Sequence, residues 1–295
     1  MTLNRNNFLY LFLSFFLFSF NNGNKKKNDL TYDNLHGNVK SVKIFFYKKT
    51  DEKTLAINPL AISNTDRSFI MIINYNGLGN VTDNIGNNYK KLLICNYDST
   101  GNRINSVKFD KNENVIARDT SRYDWNRNLI EHVEYELLNE KRIMKEIYKY
   151  DDKGNKIEMN EYVNNEFSEK TWFKYDVHWN EIEEDFGYNT SIPTSKIIKK
   201  HDDKGNVKEY DYYNDSSLNK YKFNYNAYGS VTEERKYDSG NNLLYDYIYK
   251  YDYDVKGNWI RKLKYIIKEE VKDDHFSTFD DEHQPPVTIR VIEYY

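Results

Sequence analysis

Cysteine and proline are scarce in this chain of 295 residues, which contains one cysteine and 4 prolines. A single cysteine excludes a disulfide framework within the chain and any Cys-x-x-Cys site. Its setting, Leu92-Leu93-Ile94-Cys95, predicts a small buried hydrophobe in a strand rather than a nucleophile. Runs of alanine and leucine are also missing, whereas aromatic residues make up 16% of the chain. This combination disfavours a helical protein.

The chain also lacks an excess of charge of either sign. Lysine and arginine number 43, aspartate and glutamate 46, and the net charge of −3 is spread along the sequence. No basic surface for nucleic acid is therefore expected. A mean hydropathy of −0.90 would suit a disordered chain. The 28 tyrosines argue against disorder, because each supplies a large apolar area with a polar tip.

Sequence signatures of catalysis are absent as well. There is no His-Glu-x-x-His, no Gly-x-Ser-x-Gly and no phosphate-binding loop. The adjacent carboxylates Glu183-Glu184 and Glu233-Glu234 would point to opposite faces of a strand, which makes each a poor acid–base pair. We expect no catalytic residue, no cofactor and no metal site, so the protein is not expected to be an enzyme. An enzyme whose site combines residues from distant parts of the chain stays an open alternative.

The chain does contain a repeat, which residues 150–158 show most clearly with Tyr-Asp-Asp-Lys-Gly-Asn-Lys-Ile-Glu. The tyrosine suits a strand, and the alternating residues after the turn suit a second strand. The side chain of aspartate can form a hydrogen bond with the backbone two residues on, and glycine and asparagine tolerate positive φ. The Asp-Asp-Lys-Gly-Asn stretch between the two strands therefore predicts a turn. Copies recur with successive gaps of 22, 26, 27, 25, 26, 24 and 28 residues. Each copy is marked by the residue after the turn glycine or its stand-in: Asn80, Asn102, Asn128, Asn155, Asn180, Asn206, Ser230 and Asn258.

Weaker turns lie half a period along, at residues 109–114, 162–166 and 237–242. Each unit is thus a full hairpin with two strands and two short turns. We predict an all-β fold, a continuous antiparallel meander of about 25-residue hairpin repeats, twisted or curled into a spiral or open barrel. One domain is expected over residues 35–295, with irregular insertions at 48–68 and 266–287.

An apolar run at residues 8–20 follows Arg5 and precedes a stretch with three lysines. As a helix it would span roughly 20 Å, less than the roughly 30 Å hydrocarbon core of a bilayer. This length predicts a signal peptide over residues 1–22, followed by a linker over residues 23–34. We expect an exported protein, in the periplasm, at the cell surface or secreted, with no further transmembrane span. An uncleaved N-terminal anchor is the alternative.

The Tyr-Asp-x-x-Gly-Asn units resemble those of the tyrosine–aspartate (YD) repeat proteins, which include Rhs proteins and teneurins. The resemblance covers roughly residues 74–265. Within this group, the chain is similar to the short exported members from Bacteroidetes. It implies an exported, non-catalytic scaffold or binding protein of the envelope or exterior, with a glycan or an envelope protein as partner. A component of a toxin-delivery system is the alternative. Rhs repeats favour Gly-Arg where this chain has Gly-Asn, and we find neither their cleavage motif nor room for a toxin domain, which argues against a closed toxin cage.

Alternating tyrosines form the strongest candidate for a ligand-binding surface. In a strand, alternate residues share one face, so the rings between residues 245 and 253 would line up together. A shorter row precedes them, at residues 221–225. The rows would either form an open face for sugar rings or a partner chain, or pack as the protein's own core. The candidate residues are Tyr221, Phe223, Tyr225, Tyr245, Tyr247, Tyr249, Tyr251 and Tyr253.

Overall fold

The computed structural model describes residues 28–47, 67–86, 90–137, 142–190, 192–214, 217–269 and 286–295. These residues form one four-residue helix, α1, and eighteen strands that hold slightly more than half of the chain. No helix among them is long and apolar enough to cross a membrane. In chain order the elements are α1 (Asp29–Tyr32), β1 (Val39–Tyr47), β2 (Arg67–Tyr75), β3 (Val81–Ile85), β4 (Lys91–Tyr97), β5 (Arg103–Phe109), β6 (Val115–Tyr123), β7 (Leu129–Glu136), β8 (Arg142–Tyr150), β9 (Lys156–Val163), β10 (Glu166–Tyr175), β11 (Glu181–Tyr188), β12 (Ser195–His201), β13 (Val207–Asn214), β14 (Ser217–Tyr225), β15 (Val231–Tyr237), β16 (Leu243–Tyr253), β17 (Trp259–Glu269) and β18 (Val287–Tyr294).

Every strand pairs antiparallel with the strands before and after it in the chain. The last strand, β18, also pairs with β1, with Val42 opposite Ile292 and Lys43 opposite Val291. This pairing closes the meander into a barrel. The predicted all-β antiparallel meander is confirmed, and the curled sheet is closed.

The repeated turns show why each unit carries aspartate and asparagine four residues apart. Asp98 Oδ1 accepts hydrogen bonds from the backbone N–H groups of Thr100 and Asn102, both at 2.9 Å, and Oδ2 accepts one from the Asn102 side chain at 2.8 Å. Against the opposing effect of burial, these bonds lower the pKa of Asp98 to about 2. Gly101 takes a φ of 82°, which closes the turn. The Asp-to-Asn bonds recur at Asp124, Asp151, Asp176 and Asp202.

The turns half a period along also lie where the sequence predicts them. Asp110 and Asp238 bind Asn114 and Asn242 as in the main turns. The hairpin between β9 and β10 instead uses residues 164–165, two asparagines with φ of 51° and 69°. Two successive positive φ values are typical of a type I′ turn, which matches the twist of the flanking strands.

In most units the repeat tyrosine forms a hydrogen bond to the previous unit. Tyr150 donates its hydroxyl to the Leu129 carbonyl at 2.8 Å, and Leu129 is the first residue after the previous turn. A tyrosine is long enough to reach the neighbouring strand while its ring covers the wall. Equivalent bonds from other units run from Tyr97 to Val81, Tyr123 to Arg103, Tyr175 to Lys156 and Tyr225 to Val207. In the last unit the bond to Val231 comes from Tyr251, two residues before the repeat tyrosine Tyr253.

Residues 28–38, which we call the inner segment, show which side of the sheet is the inside. Asn28 donates to the Leu78 carbonyl at 2.7 Å, and Asn34 donates to the Tyr228 carbonyl at 3.3 Å. Along the wall these two turns are separated by six strands, or about 29 Å at about 4.8 Å per strand. The segment between the two asparagines contains α1 and covers only about 9 Å at helical rise. Such a short bridge fits only the concave side, so the inner segment lies within the barrel.

The inner segment packs on the tyrosine side of the wall. Leu30 and Leu35 contact Val39, Val42 and Tyr75 in one buried cluster. The repeat tyrosines share this side with Tyr75 and therefore face the lumen. Residues 28–34 fall in the stretch expected to be linker, and residues 1–27, which include the expected signal peptide, lie outside the described residues. The expected insertions also lie outside them, except at their ends, which include the first residues of β2, the last residues of β17 and the start of β18.

The opposite side of the wall faces outward and carries one polar pair per unit. In each unit, the residue before the repeat tyrosine, or before His201 in one unit, lies on one strand. It pairs with a residue on the next strand, three places after the turn asparagine or its stand-in. Lys149 and Glu158 form one such ion pair at 2.7 Å. The other pairs are Asn74–Asp83, Asn96–Asn105, Arg122–Glu131, Lys174–Glu183, Lys200–Glu209, Asn224–Glu233 and Asp252–Arg261.

Candidate functional site: the lumenal tyrosine face

All eight candidate residues lie on the lumenal side of β14 and β16, the two strands that flank β15. The register that the sequence left open is now defined, because Phe223 and Tyr247 both lie opposite Glu234 of β15. Tyr221 and Tyr245 are aligned in the same way through Lys236. The two rows therefore form one surface, the lumenal tyrosine face: Tyr221, Phe223, Tyr225, Tyr245, Tyr247, Tyr249, Tyr251 and Tyr253.

Glu234 anchors the centre of this face. Its carboxylate accepts hydrogen bonds from the hydroxyls of Tyr245 at 2.7 Å and Tyr249 at 2.9 Å. Burial, reinforced by the Glu234 charge, raises the pKa of both tyrosines well above its usual range. Both phenols therefore stay protonated and act as donors. These bonds hold the rings of β16 over β15.

The rings stack rather than scatter. Tyr210 of β13 lies 4.3 Å from Tyr221, and Tyr245 lies 4.3 Å from Tyr247, each pair being nearly parallel. At the turn end of the face, Tyr253 stacks on Tyr228 at 4.1 Å. Stacked aromatic pairs are worth about 0.5–1.5 kcal/mol beyond their buried area, so the face is also a source of stability.

The rings differ in how much solvent they meet. Tyr247 and Tyr249 are 8% and 9% exposed and form a buried cluster with Val231. The other six candidates are half-buried. The face thus combines the two alternatives that the sequence left open, a packed core and an open surface. Its innermost rings are core, while the rings around them keep part of their surface exposed.

Cations from the two following strands complete the face. Lys262 Nζ lies 4.2 Å above the Tyr249 ring, and Lys264 Nζ lies 3.4 Å above the Tyr247 ring. Arg290 of β18 places its guanidinium carbon 3.7 Å above the Trp259 ring. Burial lowers the pKa of Lys262 to about 8 and that of Arg290 to about 10.

These cations were missed by the sequence reasoning, although a signal was present. Lys262 and Lys264 alternate along β17, the strand that follows the tyrosine row across the Asn258 turn. A hairpin register counted from that turn would have placed both lysines beside the tyrosines. Arg290 carried no such signal, because a long stretch outside the described residues separates β17 from β18.

A second charged cluster lies on the lumenal side of β11 and β12. The buried amine of Lys199 forms ion pairs with both Glu181 and Glu184. Burial and the neighbouring Glu184 carboxyl raise the pKa of Glu181 to about 7. Because one lysine binds both carboxylates, this cluster resembles an internal ion pair more than a free acid–base pair. Glu183, by contrast, faces outward toward Lys174, so Glu183 and Glu184 do point to opposite faces.

Other reactive groups offer little. Cys95 is buried, as expected, and burial raises the pKa of its thiol, which disfavours a nucleophilic thiolate. Within the described part of the chain, no three histidine, cysteine, aspartate or glutamate side chains are grouped so that they could hold a metal ion.

No family model matches the sequence, and no curated protein matches it. The fold is similar to that of solved structures. A porin-like protein from Bacteroides uniformis ATCC 8492 is 10% identical, with 86% of this chain and 96% of that chain covered and a TM-score of 0.45. A porin-like protein from Bacteroides vulgatus ATCC 8482 is 10% identical, with 87% and 98% covered and a TM-score of 0.40.

A TcdB2–TccC3–Cdc42 structure is similar in part. It is 9% identical, with a TM-score of 0.36, and 72% of this chain matches only 14% of that chain. Similarity at these levels carries no information about ligand or activity. This chain is thus an antiparallel β-barrel that resembles Bacteroides porin-like proteins and, in part, a TcdB2–TccC3 structure.

Proposed function

We propose that this protein is an exported, non-catalytic, YD-repeat-like binding protein that holds a saccharide against its lumenal tyrosine face. The observation that carries the proposal is the half-buried aromatic surface formed jointly by β13, β14 and β16. Ligand sites are concave, mostly apolar and supplied with a few well-placed polar groups. The tyrosine rings supply apolar surface with hydroxyl groups at their tips, and the Glu234 carboxylate lies at the centre. The face therefore offers this combination to a sugar.

A binding role agrees better with the charged clusters than an enzymatic one. Glu234 is held by two tyrosine hydroxyls, and Glu181 and Glu184 share Lys199. General acid–base catalysis needs a group that is free to exchange protons with a substrate. Each of these carboxylates is instead bound by the protein itself.

The outward face supports an aqueous location. An outer-membrane barrel presents an apolar band to lipid, and charged residues there cost several kcal/mol. Here each unit carries a polar pair on the outward side, such as Lys149–Glu158. We therefore propose that the barrel stands in water, in the periplasm, at the cell surface or outside the cell. Export itself rests on the apolar run at residues 8–20.

Replacing Tyr221 by leucine tests the proposal, because leucine keeps apolar volume but removes the ring and hydroxyl. We expect Tyr221→Leu to weaken binding of a saccharide selected from a glycan array by about tenfold. The matched control is Tyr213→Leu, which removes an outward-facing ring from the neighbouring strand β13. Binding should be measured by calorimetry beside the melting temperature of each variant.

The control should stay within about twofold of the parent protein. Failure of the parent protein to bind any saccharide would contradict the proposal. An equal loss of affinity in both tyrosine variants would also contradict it, because the outward ring cannot reach a lumenal ligand.

A further inference from the structure

The eight repeated turns form one end of the barrel, which we call the turn rim. Each of these turns links an even-numbered strand to the strand that follows it, and neighbouring strands are antiparallel, so all eight lie at the same end. A flat surface that meets this end of the barrel therefore meets the tips of the turns first. The turn rim consists of residues 76–80, 98–102, 124–128, 151–155, 176–180, 202–206, 226–230 and 254–258.

Apolar side chains lie at the tips of several of these turns. Trp125, Val177 and Val255 each follow the turn aspartate, and they are the three most exposed large apolar side chains among the described residues. The turn itself does not need an apolar residue there, because Ser99 and Asp152 hold the same position in other units. Such exposure indicates a contact surface rather than a folding requirement. The other exposed large apolar side chains of the eight turns are Leu78, Trp179 and Tyr228.

These side chains are spread around the turn rim rather than gathered in one patch. They occupy five of the eight turns. A wall of eighteen strands about 4.8 Å apart gives a barrel roughly 30 Å wide. A bound peptide would cover one or two turns at a time, whereas the flat surface of a bilayer meets all of them together. Tryptophan and tyrosine also favour the interface between membrane and water.

The charge of the turn rim favours neutral lipid over anionic lipid. Its eight turns contain eight aspartates and only four residues that are lysine or arginine, so attraction to anionic headgroups is not expected. The outward wall carries a polar pair in each unit, such as Lys149–Glu158, which disfavours contact between the wall and lipid. Contact with a bilayer would therefore be confined to the apolar and aromatic turn tips.

The N-terminal part of the chain enters the barrel at the same end. Asn28 donates to the Leu78 carbonyl at 2.7 Å, and the Leu30 N–H donates to the Gly79 carbonyl at 3.0 Å, both within the first repeated turn. Seven residues separate Asn28 from the apolar run at residues 8–20, and seven residues reach at most about 25 Å. An anchor formed by that run would hold the turn rim next to the bilayer.

We propose that the turn rim rests on the surface of a lipid bilayer, with the apolar run at residues 8–20 as an uncleaved anchor beside it. As a helix that run is shorter than the hydrocarbon core, so a second contact strengthens the attachment. Trp125, Val177 and Val255 enter the interface between headgroups and acyl chains. The wall stays in water, and the opposite end of the barrel faces away from the membrane. This inference does not depend on the saccharide.

A fluorescent probe on the turn rim tests the contact in the full chain. In a protein that carries Cys95→Ala, Val255→Cys is labelled with an environment-sensitive nitrobenzoxadiazole dye and mixed with phosphatidylcholine vesicles. The emission should rise and shift to shorter wavelength, because the dye leaves water. The matched control is Ile192→Cys, which places the same dye on an exposed aliphatic position between β11 and β12, at the opposite end of the barrel. Its emission should not change.

Two further measurements separate the turn rim from the anchor. The double variant Trp125→Ser and Val177→Ser should weaken the partition of the full chain onto the same vesicles by at least about tenfold. Ile192→Ser should stay within about twofold of the parent protein. Melting temperatures confirm that each variant is folded. The intact mass of protein recovered from membranes should include residues 8–20, and a mass without them would overturn the anchor.

The remaining outcomes also decide the proposal. No change in emission at residue 255 would mean that the turn rim stays in water, and equal changes at residues 255 and 192 would mean that the barrel meets lipid in no fixed orientation. A change at residue 255 without vesicles, growing with protein concentration, would assign the turn rim to contact with a second copy of the chain. Each of these three results would overturn the bilayer contact and leave the saccharide proposal untouched.

Discussion

Replacement of Tyr249 by serine should lower the free energy of unfolding by about 3 kcal/mol. Its ring is 9% exposed and packs with Val231 and Tyr247. Serine would leave a cavity there and would also remove the hydroxyl that donates to Glu234. The loss should appear in denaturant unfolding followed by circular dichroism, as a lower midpoint with an unchanged slope.

The control for this variant is Lys250→Ser, the next residue on the same strand. Lys250 faces outward and is exposed, so its replacement should change stability by less than about 0.5 kcal/mol. Similar losses in the two variants would mean that the tyrosine side of β16 is not the packed side. A Tyr249→Ser protein of unchanged stability would show that these rings are not part of the core.

Replacement of Asn258 by alanine should cost about 3 kcal/mol as well. The Asn258 side chain is 1% exposed and binds the inner segment with two hydrogen bonds. It accepts from the His36 N–H at 2.7 Å and donates to the His36 carbonyl at 2.9 Å, and it also donates to the Tyr294 hydroxyl at 2.7 Å. Alanine would leave both backbone groups of His36 without these partners.

Asn206 provides a matched control, because it occupies the same position in another unit. Among the residues that the structure describes, its side chain donates only to Asp202 within its own turn, at 2.9 Å. Asn206→Ala should therefore cost about 1 kcal/mol. If thermal unfolding gave equal losses for Asn206→Ala and Asn258→Ala, the inner segment would not be held at the final turn.

The repeat could be predicted from the sequence because its causes are local. An aspartate that bonds backbone two and four residues later, followed by a residue that accepts positive φ, is visible in any single unit. Gly154, Gly205 and Gly257 show this with φ values of 84°, 82° and 86°. Arg127 and Trp179 occupy the same position with φ of 69° and 67°, so the turn tolerates other residues.

The features that sequence reasoning missed depend on contacts between distant residues. Barrel closure pairs β1 with β18, for which no local signal exists. Part of the inner segment was expected to be a linker. Its sequence carries no local pattern that reveals the distant strands against which it packs. The exposure of the tyrosines was also undecided, since alternation gives the face of a strand but not the direction in which that face points.

The YD motif has a structural meaning that bears on function. Its aspartate closes the turn, and its tyrosine bonds the wall to the previous unit, as Tyr150 does with Leu129. Tyr225 of the lumenal tyrosine face carries out this bracing role as well, and Tyr251, two residues before the motif tyrosine Tyr253, makes the equivalent bond in the last unit. Under the proposed binding role, ligand specificity should therefore depend on residues outside the motif, such as Tyr221. Variants of the motif tyrosines would lose stability together with binding.

The measurement that tests the central claim most directly is a disulfide trap across the closure of the barrel. Lys43 of β1 and Val291 of β18 lie directly opposite each other, so their Cβ atoms should be about 4.5–5.5 Å apart. In a protein that also carries Cys95→Ala, the pair Lys43→Cys and Val291→Cys should form an intramolecular disulfide on mild oxidation, seen by non-reducing mass spectrometry. A control pair, Lys43→Cys with Lys250→Cys, is separated by three strand spacings and should stay reduced. A closed barrel predicts the bridge in the first pair alone; failure of that pair to bridge, or equal bridging in both pairs, would contradict closure and with it the lumenal site.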